Sequence, residues 1–391
     1  MRYSCFTLGF FGVVLCFFLV PNCLLSKALA NSNDNKEVKE KPSATVNRIR
    51  KDCLKVLLET MKSDNAFERS AAIRAAAESE NELALPVLAK GVEDSYPTAR
   101  LFAIKGYRKV APKKALELAY KLHEDTDVWV RAEALEILGE LGGKDTAPIL
   151  QSSLRDPDPT VQFSASAALV RLKVGNHLPL LVNAAKSGDV SLRYQAIGYL
   201  GKVGNKPAIE ILYKLLDDPE GEIIFYSLKS IGDKVSTRMI EKLVFLTAHK
   251  NPFVQREALS ALGRLTSHPG MSLFAQFCDN PDPLVRLAAA SALDADKESA
   301  CADVFRDSLN NPDYGVRSAT ARILGKTNLP NRGQLLAQAI KDPNSRVRTS
   351  AVRSAGMMGG IEAWPLLLNT IYDELPVVRA YAAGNLIKLI D

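Results

Sequence analysis

Four histidines and two tryptophans are all that 391 residues contain. His123, His177, His249 and His268 stand at no paired or metal-ligand spacing, and each falls near a helix end or loop, so none is read as a ligand or base. No glycine-rich phosphate loop, nucleophile elbow or zinc spacing is present. Charge of one sign is lacking as well: 50 Lys and Arg face 44 Asp and Glu, a net +6. Residues 1–30 carry Arg2 and Lys27 and no acid, and without them the net is +4. That bias admits an anionic partner without demanding one, and a nucleic-acid track needs a far more basic face. Alternating apolar and polar runs are also missing, which excludes strands and leaves an all-α chain.

Long apolar runs are absent too. The longest, Phe6 to Val20, is broken by Pro21 and falls short of the roughly 20 residues that cross a bilayer as a helix. With Arg2 before it and Ala28-Leu29-Ala30 after it, residues 1–30 read as a secretory signal peptide, so the chain is expected to be exported, periplasmic or secreted. The alternative is an uncleaved membrane anchor. Residues 31–44, NSNDNKEVKEKPSA, are polar and aperiodic, a flexible tether. Cys53, Cys278 and Cys301 remain beyond the signal. Three is an odd number at spacings of neither a disulfide framework nor a zinc site, so they read as small core residues.

What is there is a period. Steps of 31 residues connect Arg69, Arg100, Arg131, Gln162, Arg193, Ile224, Gln255, Arg286, Arg317, Arg348 and Arg379. Three residues on, every unit has Ala, Ser or Thr, as at Ala72, Ala134 and Thr320. Six residues before the Arg register stand Asp94, Asp125, Asp156, Asp218, Asn280, Asn311, Asp342 and Asp373. Each unit reads as two helices. Pro86, Pro148, Pro179 and Pro365 mark the first turn of the first helix. An Asp-Pro turn comes next, its Asp able to cap the second helix, whose apolar stripe is typified by Val130, Ala134, Leu135 and Leu138. Gly139, Gly201, Gly232, Gly263, Gly325 and Gly356 share a register suited to a left-handed cap.

The pattern D-P-x-x-x-V-R-x-x-A-x-x-x-L-G resembles the HEAT repeat, in the short form of bacterial HEAT-like and phycobilin-lyase-like proteins, across residues 45–391. The resemblance implies a right-handed α-solenoid of about eleven helix-turn-helix repeats, with the V-R helices on the concave side. It also implies a ladder between the Asp and Arg registers, interrupted at Gln162, Ile224 and Gln255, where the stack is expected to flex around a partner. Packed at 8–10 Å per helix, eleven units make a rod roughly 100 Å long. Deoxyhypusine hydroxylase, a HEAT-repeat enzyme, binds iron through several His-Glu pairs; His123-Glu124 is the single pair here, which argues that activity out. A lyase acting on bilins is the other enzymatic implication, and export from the cytoplasm argues against it.

The residues carry no catalytic set, so the expected function is a non-catalytic scaffold without cofactor or metal, binding a protein through its concave groove. Groove-facing registers hold Phe102, Trp129, Tyr226 and Phe253, with Phe163, Tyr194 and Phe225 at the margin and Arg171, Lys202 and Arg264 among the basic positions. An anionic envelope polymer or lipid headgroup is the alternative partner for those cations. The last helix, with Tyr381, Leu386, Ile387, Leu389 and Ile390, is either a self-association surface or packed onto unit ten.

Overall fold

The computed structural model describes residues 42–265, 270–293, 301 and 303–390. The predicted signal peptide, residues 31–41 of the predicted tether, and His268 lie outside them. The chain divides into two units, residues 1–51 and 52–391. Of the first, the opening turns of helix α1 are described, beginning at Pro42 within the predicted tether. The repeat stack belongs to the second.

Twenty-two helices alternate between two series, and no strand occurs among the described residues. The odd series comprises α1 (Pro42–Thr60), α3 (Leu85–Val92), α5 (Pro112–Leu122), α7 (Ala147–Ser153), α9 (Leu178–Ala185), α11 (Lys206–Lys214), α13 (Ile240–Thr247), α15 (Met271–Ala275), α17 (Val304–Leu309), α19 (Arg332–Ile340) and α21 (Gly360–Thr370). The even series, which carries the V-R motif, comprises α2 (Ala66–Ser79), α4 (Pro97–Val110), α6 (Val128–Leu141), α8 (Pro159–Leu172), α10 (Val190–Val203), α12 (Gly221–Ile231), α14 (Pro252–Gly263), α16 (Pro283–Leu293), α18 (Tyr314–Leu324), α20 (Ser345–Met358) and α22 (Pro376–Leu389). Successive even helices pack directly on one another, and each odd helix from α3 onward lies against the even helix of its own unit. The stripe residues Val130, Ala134, Leu135 and Leu138 are fully buried between them.

Two sequence assignments change at the helix ends. The capping side chain lies two residues beyond the Asp-Pro aspartate: Asn65, Asp127, Asp158, Asp189, Asn251, Asp313 and Asn344 accept from the first-turn N–H groups. The aspartate itself accepts from the capping residue's N–H, 2.8 Å from Asp127 N to Asp125 Oδ1. Of the shared glycines, only Gly232 has a left-handed φ, +53°. The others are close-approach points. A Cβ on Gly139 would lie 2.4 Å from Ala168 Cβ, and one on Gly201 would lie 2.6 Å from the Ser230 carbonyl oxygen. Pro365 lies inside α21, which starts one turn earlier than its register implied.

The Arg and Asp registers join successive units. Arg69, Arg100, Arg131, Arg317 and Arg348 grip Asp94, Asp125, Asp156, Asp342 and Asp373 through Nε and Nη2, while Nη1 donates to two backbone carbonyls. Arg193 pairs with Asp218. Where the base is lost the acid is lost too: Gln162 faces the register of Ser187, Ile224 that of His249, and Gln255 that of Asn280. Joint loss avoids a half-buried carboxylate without a partner. Gln162 keeps the backbone half of the rung, Nε2 to Asp156 O at 2.8 Å. Arg286 and Arg379 keep their backbone contacts, and no carboxylate among the described residues pairs with either.

The stack does not run on as an open rod: within residues 52–391 its two ends meet. Helix α22 packs along α2, and Asn81 Nδ2 donates to Ile387 O at 3.4 Å. Gly384, lacking a side chain, allows the Ala75 carbonyl oxygen to within 2.5 Å of where its Cβ would stand. Arg353 on α20 grips Glu78 on α2 at 2.8 and 2.6 Å, bridging past α22. Lys202 on α10 bridges past α8 to Glu136 on α6 in the same way. The separation there is 66 residues, and a circuit of eleven 31-residue units sets Glu78 equally far beyond Arg353. Closure is therefore in register, with roughly 33° of turn per unit. Tyr381, Leu386 and Ile387 are buried under it, so the predicted self-association face is covered from within the chain.

Cys278 and Cys301 form a disulfide, Cα to Cα 5.4 Å, against the expectation of isolated core thiols. Sequence spacing hid it because the odd count included Cys53, which is buried alone. The bond ties the odd-series segments of units eight and nine to each other. Its 23-residue separation leads us to expect a loss of about 3 kcal/mol in Cys278→Ser, read from denaturant unfolding, with reduction of the wild type giving the same shift.

Candidate binding surface

The bridges past α8 and α22 identify the face that looks into the ring. Their residues stand five and nine positions after the Arg register, and the residue two before it shares that side at 100° per residue. The face has two rims. Eleven residues along a helix is about 16 Å, so the N-terminal aromatic positions and the C-terminal basic positions lie at opposite edges.

At the N-terminal rim, three neighbouring helices bring four predicted aromatics into one patch. Tyr194 of α10 lies 4.5 Å from Tyr226 of α12, and Phe225 lies 5.1 Å from Tyr226 and 5.9 Å from Phe253 of α14, ring centre to ring centre. Phe253 is 54% and Tyr226 36% exposed, while Tyr194 and Phe225 are half-buried. Two cations cover the patch. Arg256 stands 5.1 Å from the Phe253 ring and 5.9 Å from Phe225, and Lys229 Nζ 5.8 Å from Phe225. Sequence reasoning overlooked Arg256 because it lies on the flank of its helix, one residue after the Arg register; the Phe at 253 three residues before it was the signal. Burial, and after it the Glu222 and Glu220 carboxylates, holds the Tyr194 phenol above its ordinary pKa.

The other predicted residues fall elsewhere. Trp129 is 57% exposed in the first turn of α6, and Phe102 sits 5.0 Å below the Arg74 guanidinium. Phe163 is buried edge-on against Tyr199, 6.2 Å between centres, and presents no surface. Two of the three predicted basic residues are ion-paired. Lys202 holds Glu136 and stands 4.4 Å over the Tyr199 ring, and Arg264 lies 3.6 Å from Glu257 and 3.9 Å from Asp233. Arg171 alone of the three is exposed without an ion pair among the described residues. Beneath Lys105 and Arg108, at 3.3 and 3.1 Å, Glu133 is buried deeply enough for desolvation to raise its pKa despite both cations.

Among the described residues no group of three His, Cys, Asp or Glu side chains could hold a metal, and no helix is long and apolar enough to cross a membrane. The profile of HEAT repeats matches residues 85–170, 151–225, 271–340 and 302–387, more than half of the sequence. The chain belongs to the HEAT-repeat family. The chain is 31% identical over 106 residues to phycocyanobilin lyase subunit alpha of Microchaete diplosiphon, 26% of this chain and 35% of that protein. The chain thus spans about a third of the length of the curated relatives it matches. Among solved structures, human deoxyhypusine hydroxylase is 18% identical, covering 64% of this chain and 98% of that one with a TM-score of 0.31. Kap121p is 14% identical, covering 85% and 45% with a TM-score of 0.40.

Proposed function

We propose that this HEAT-repeat ring is a non-catalytic scaffold that binds a protein partner at the aromatic patch of α10, α12 and α14, and that it works outside the cytoplasm. The contiguity of Tyr194, Tyr226, Phe225 and Phe253 under Arg256 and Lys229 carries the reading. Rigid aromatic anchors beside a guanidinium are the residue types that dominate interface energetics. Ion pairing of Lys202 and Arg264 occupies two of the three cations predicted for an anionic polymer. Export is supported by the N-terminal sequence and by the Cys278–Cys301 bond, which suits an oxidising compartment. The relatives' lyase name supports a second, enzymatic reading, checked by titrating phycocyanobilin and looking for a shift in its absorption.

The test compares co-purification from the envelope fraction by wild type, Phe225→Ala/Phe253→Ala and Lys202→Ala, each at low and high salt. Two aromatic anchors at about 2 kcal/mol each imply at least a hundredfold weaker binding in the double variant. Lys202→Ala should retain the partner. Equal recovery by all three forms at both salts would sink the patch, and binding that falls steeply with salt would favour the polymer.

A further inference from the structure

Six rungs of the ladder close on a carboxylate; the one that spans the seam does not. Arg379 donates Nη1 to the carbonyls of Asp373 and Glu374 at 2.8 and 3.0 Å, as Arg69, Arg100, Arg131, Arg317 and Arg348 do to their own turns. Its rung partner should stand 25 residues on, the separation of Arg69 and Asp94, and around the circuit that position is Ser63. Ser63 occupies the place of the rung aspartate in its turn. Its Oγ accepts from Asn65 N–H at 3.1 Å, as Asp94 Oδ1 accepts from Tyr96 N–H at 2.9 Å. The hydroxyl is shorter than a carboxylate and donates to Glu68 Oε2 at 2.6 Å. No carboxylate among the described residues forms an ion pair with Arg379.

The space that an aspartate would fill is part of a cavity of about 290 Å³ lined by Ser63 and Arg379. Glu59, Thr60, Lys62 and Glu68 line it too, so its four charges, Arg379 and Lys62 against Glu59 and Glu68, cancel. A guanidinium edge of this kind is matched by a planar carboxylate. A dianion would meet Glu59 and Glu68, and a cation alone would leave Arg379 unpaired. We infer that the seam cavity binds a small zwitterionic amino acid, its carboxylate on the Nε and Nη2 edge of Arg379 and its ammonium toward Glu68 and Glu59. The ligand completes the eleventh rung and couples its binding to closure of the ring.

The inference is independent of the aromatic patch and has its own test. Calorimetric titration of the purified chain with L-alanine, N-acetyl-L-alanine and L-alaninamide separates the zwitterion from its two halves. Saturable binding of L-alanine is expected, with each half at least tenfold weaker. Ser63→Asp supplies the missing carboxylate from within the chain, so it should stay folded, melt no lower than wild type and lose L-alanine binding. Arg379→Gln should lose it too, and Arg286→Gln, the other rung without an acid, should keep it. Absence of saturable L-alanine binding, equal binding of the N-acetyl form, or undiminished binding by Ser63→Asp would overturn the assignment.

Discussion

Gly384→Leu should open the ring. A Cβ at this position already stands 2.5 Å from the Ala75 carbonyl oxygen and 2.8 Å from its carbon, so the obstacle is backbone that cannot move aside as a side chain would. The contacts of the seam then part together: α22 on α2, Asn81 on Ile387 and Arg353 on Glu78. Repeat stacks are held by nearest-neighbour interfaces, so loss of one among eleven lowers stability by one interface term and leaves each unit folded. Far-ultraviolet circular dichroism should therefore be unchanged, while X-ray scattering shows a larger radius of gyration. Amide exchange should rise in α2 and α22 and stay level in α6 and α8. The bared apolar face of α22 would make the variant associate with concentration. Gly198→Leu is the control, since nothing stands within 4 Å of a Cβ there. An unaltered scattering profile for Gly384→Leu would refute closure by this contact.

Period and helix pairing are legible because each is written eleven times, and the ladder because its arginine recurs in eight of those units, so that single departures stand out. Closure is written nowhere in the motif. It depends on how closely neighbours approach, as where Gly139, Gly201 and Gly263 bring α6, α10 and α14 against the next even helix, and those glycines read equally well as caps. Phe163 falls in a marginal register, and its burial depends on Tyr199 one unit later, a contact that requires knowing how neighbours rotate against each other. Arg256 escapes sequence reasoning for the same reason, since a flanking position meets its neighbour's aromatics only once the helices are placed. Cys53 illustrates the opposite case. It reads as a buried core residue, and burial, followed by the charge of Asp52, pushes its thiol up to about 12, where it is inert as a nucleophile.

Asp125→Ala should cost about 3 kcal/mol, the low end for removing one partner of a buried ion pair. The side chains of Arg100 and Asp125 are 13% and 8% exposed, so the guanidinium left behind is poorly hydrated, though it keeps two backbone carbonyls. The variant also loses the acceptor for the Asp127 N–H. Arg100→Met/Asp125→Leu should recover most of the loss, because no charge is stranded. The same rungs set the acid limit. Hydrogen bonding to Arg69 leads the causes that lower the Asp94 carboxyl. At Asp125 and Asp342 burial pulls upward, and the hydrogen bonds from Arg100 and Arg317 still bring the net below the ordinary value. A carboxyl depressed in the folded state contributes stability above its unfolded pKa of about 3.9 and loses it as pH falls through the folded value. Wild type should thus lose stability progressively below about pH 4 as its rungs protonate. Asp125→Ala should start lower and fall less steeply over that range, since one of the protonating groups is already gone. Parallel stability–pH curves for the two proteins would show that the rung carboxylates do not govern acid unfolding.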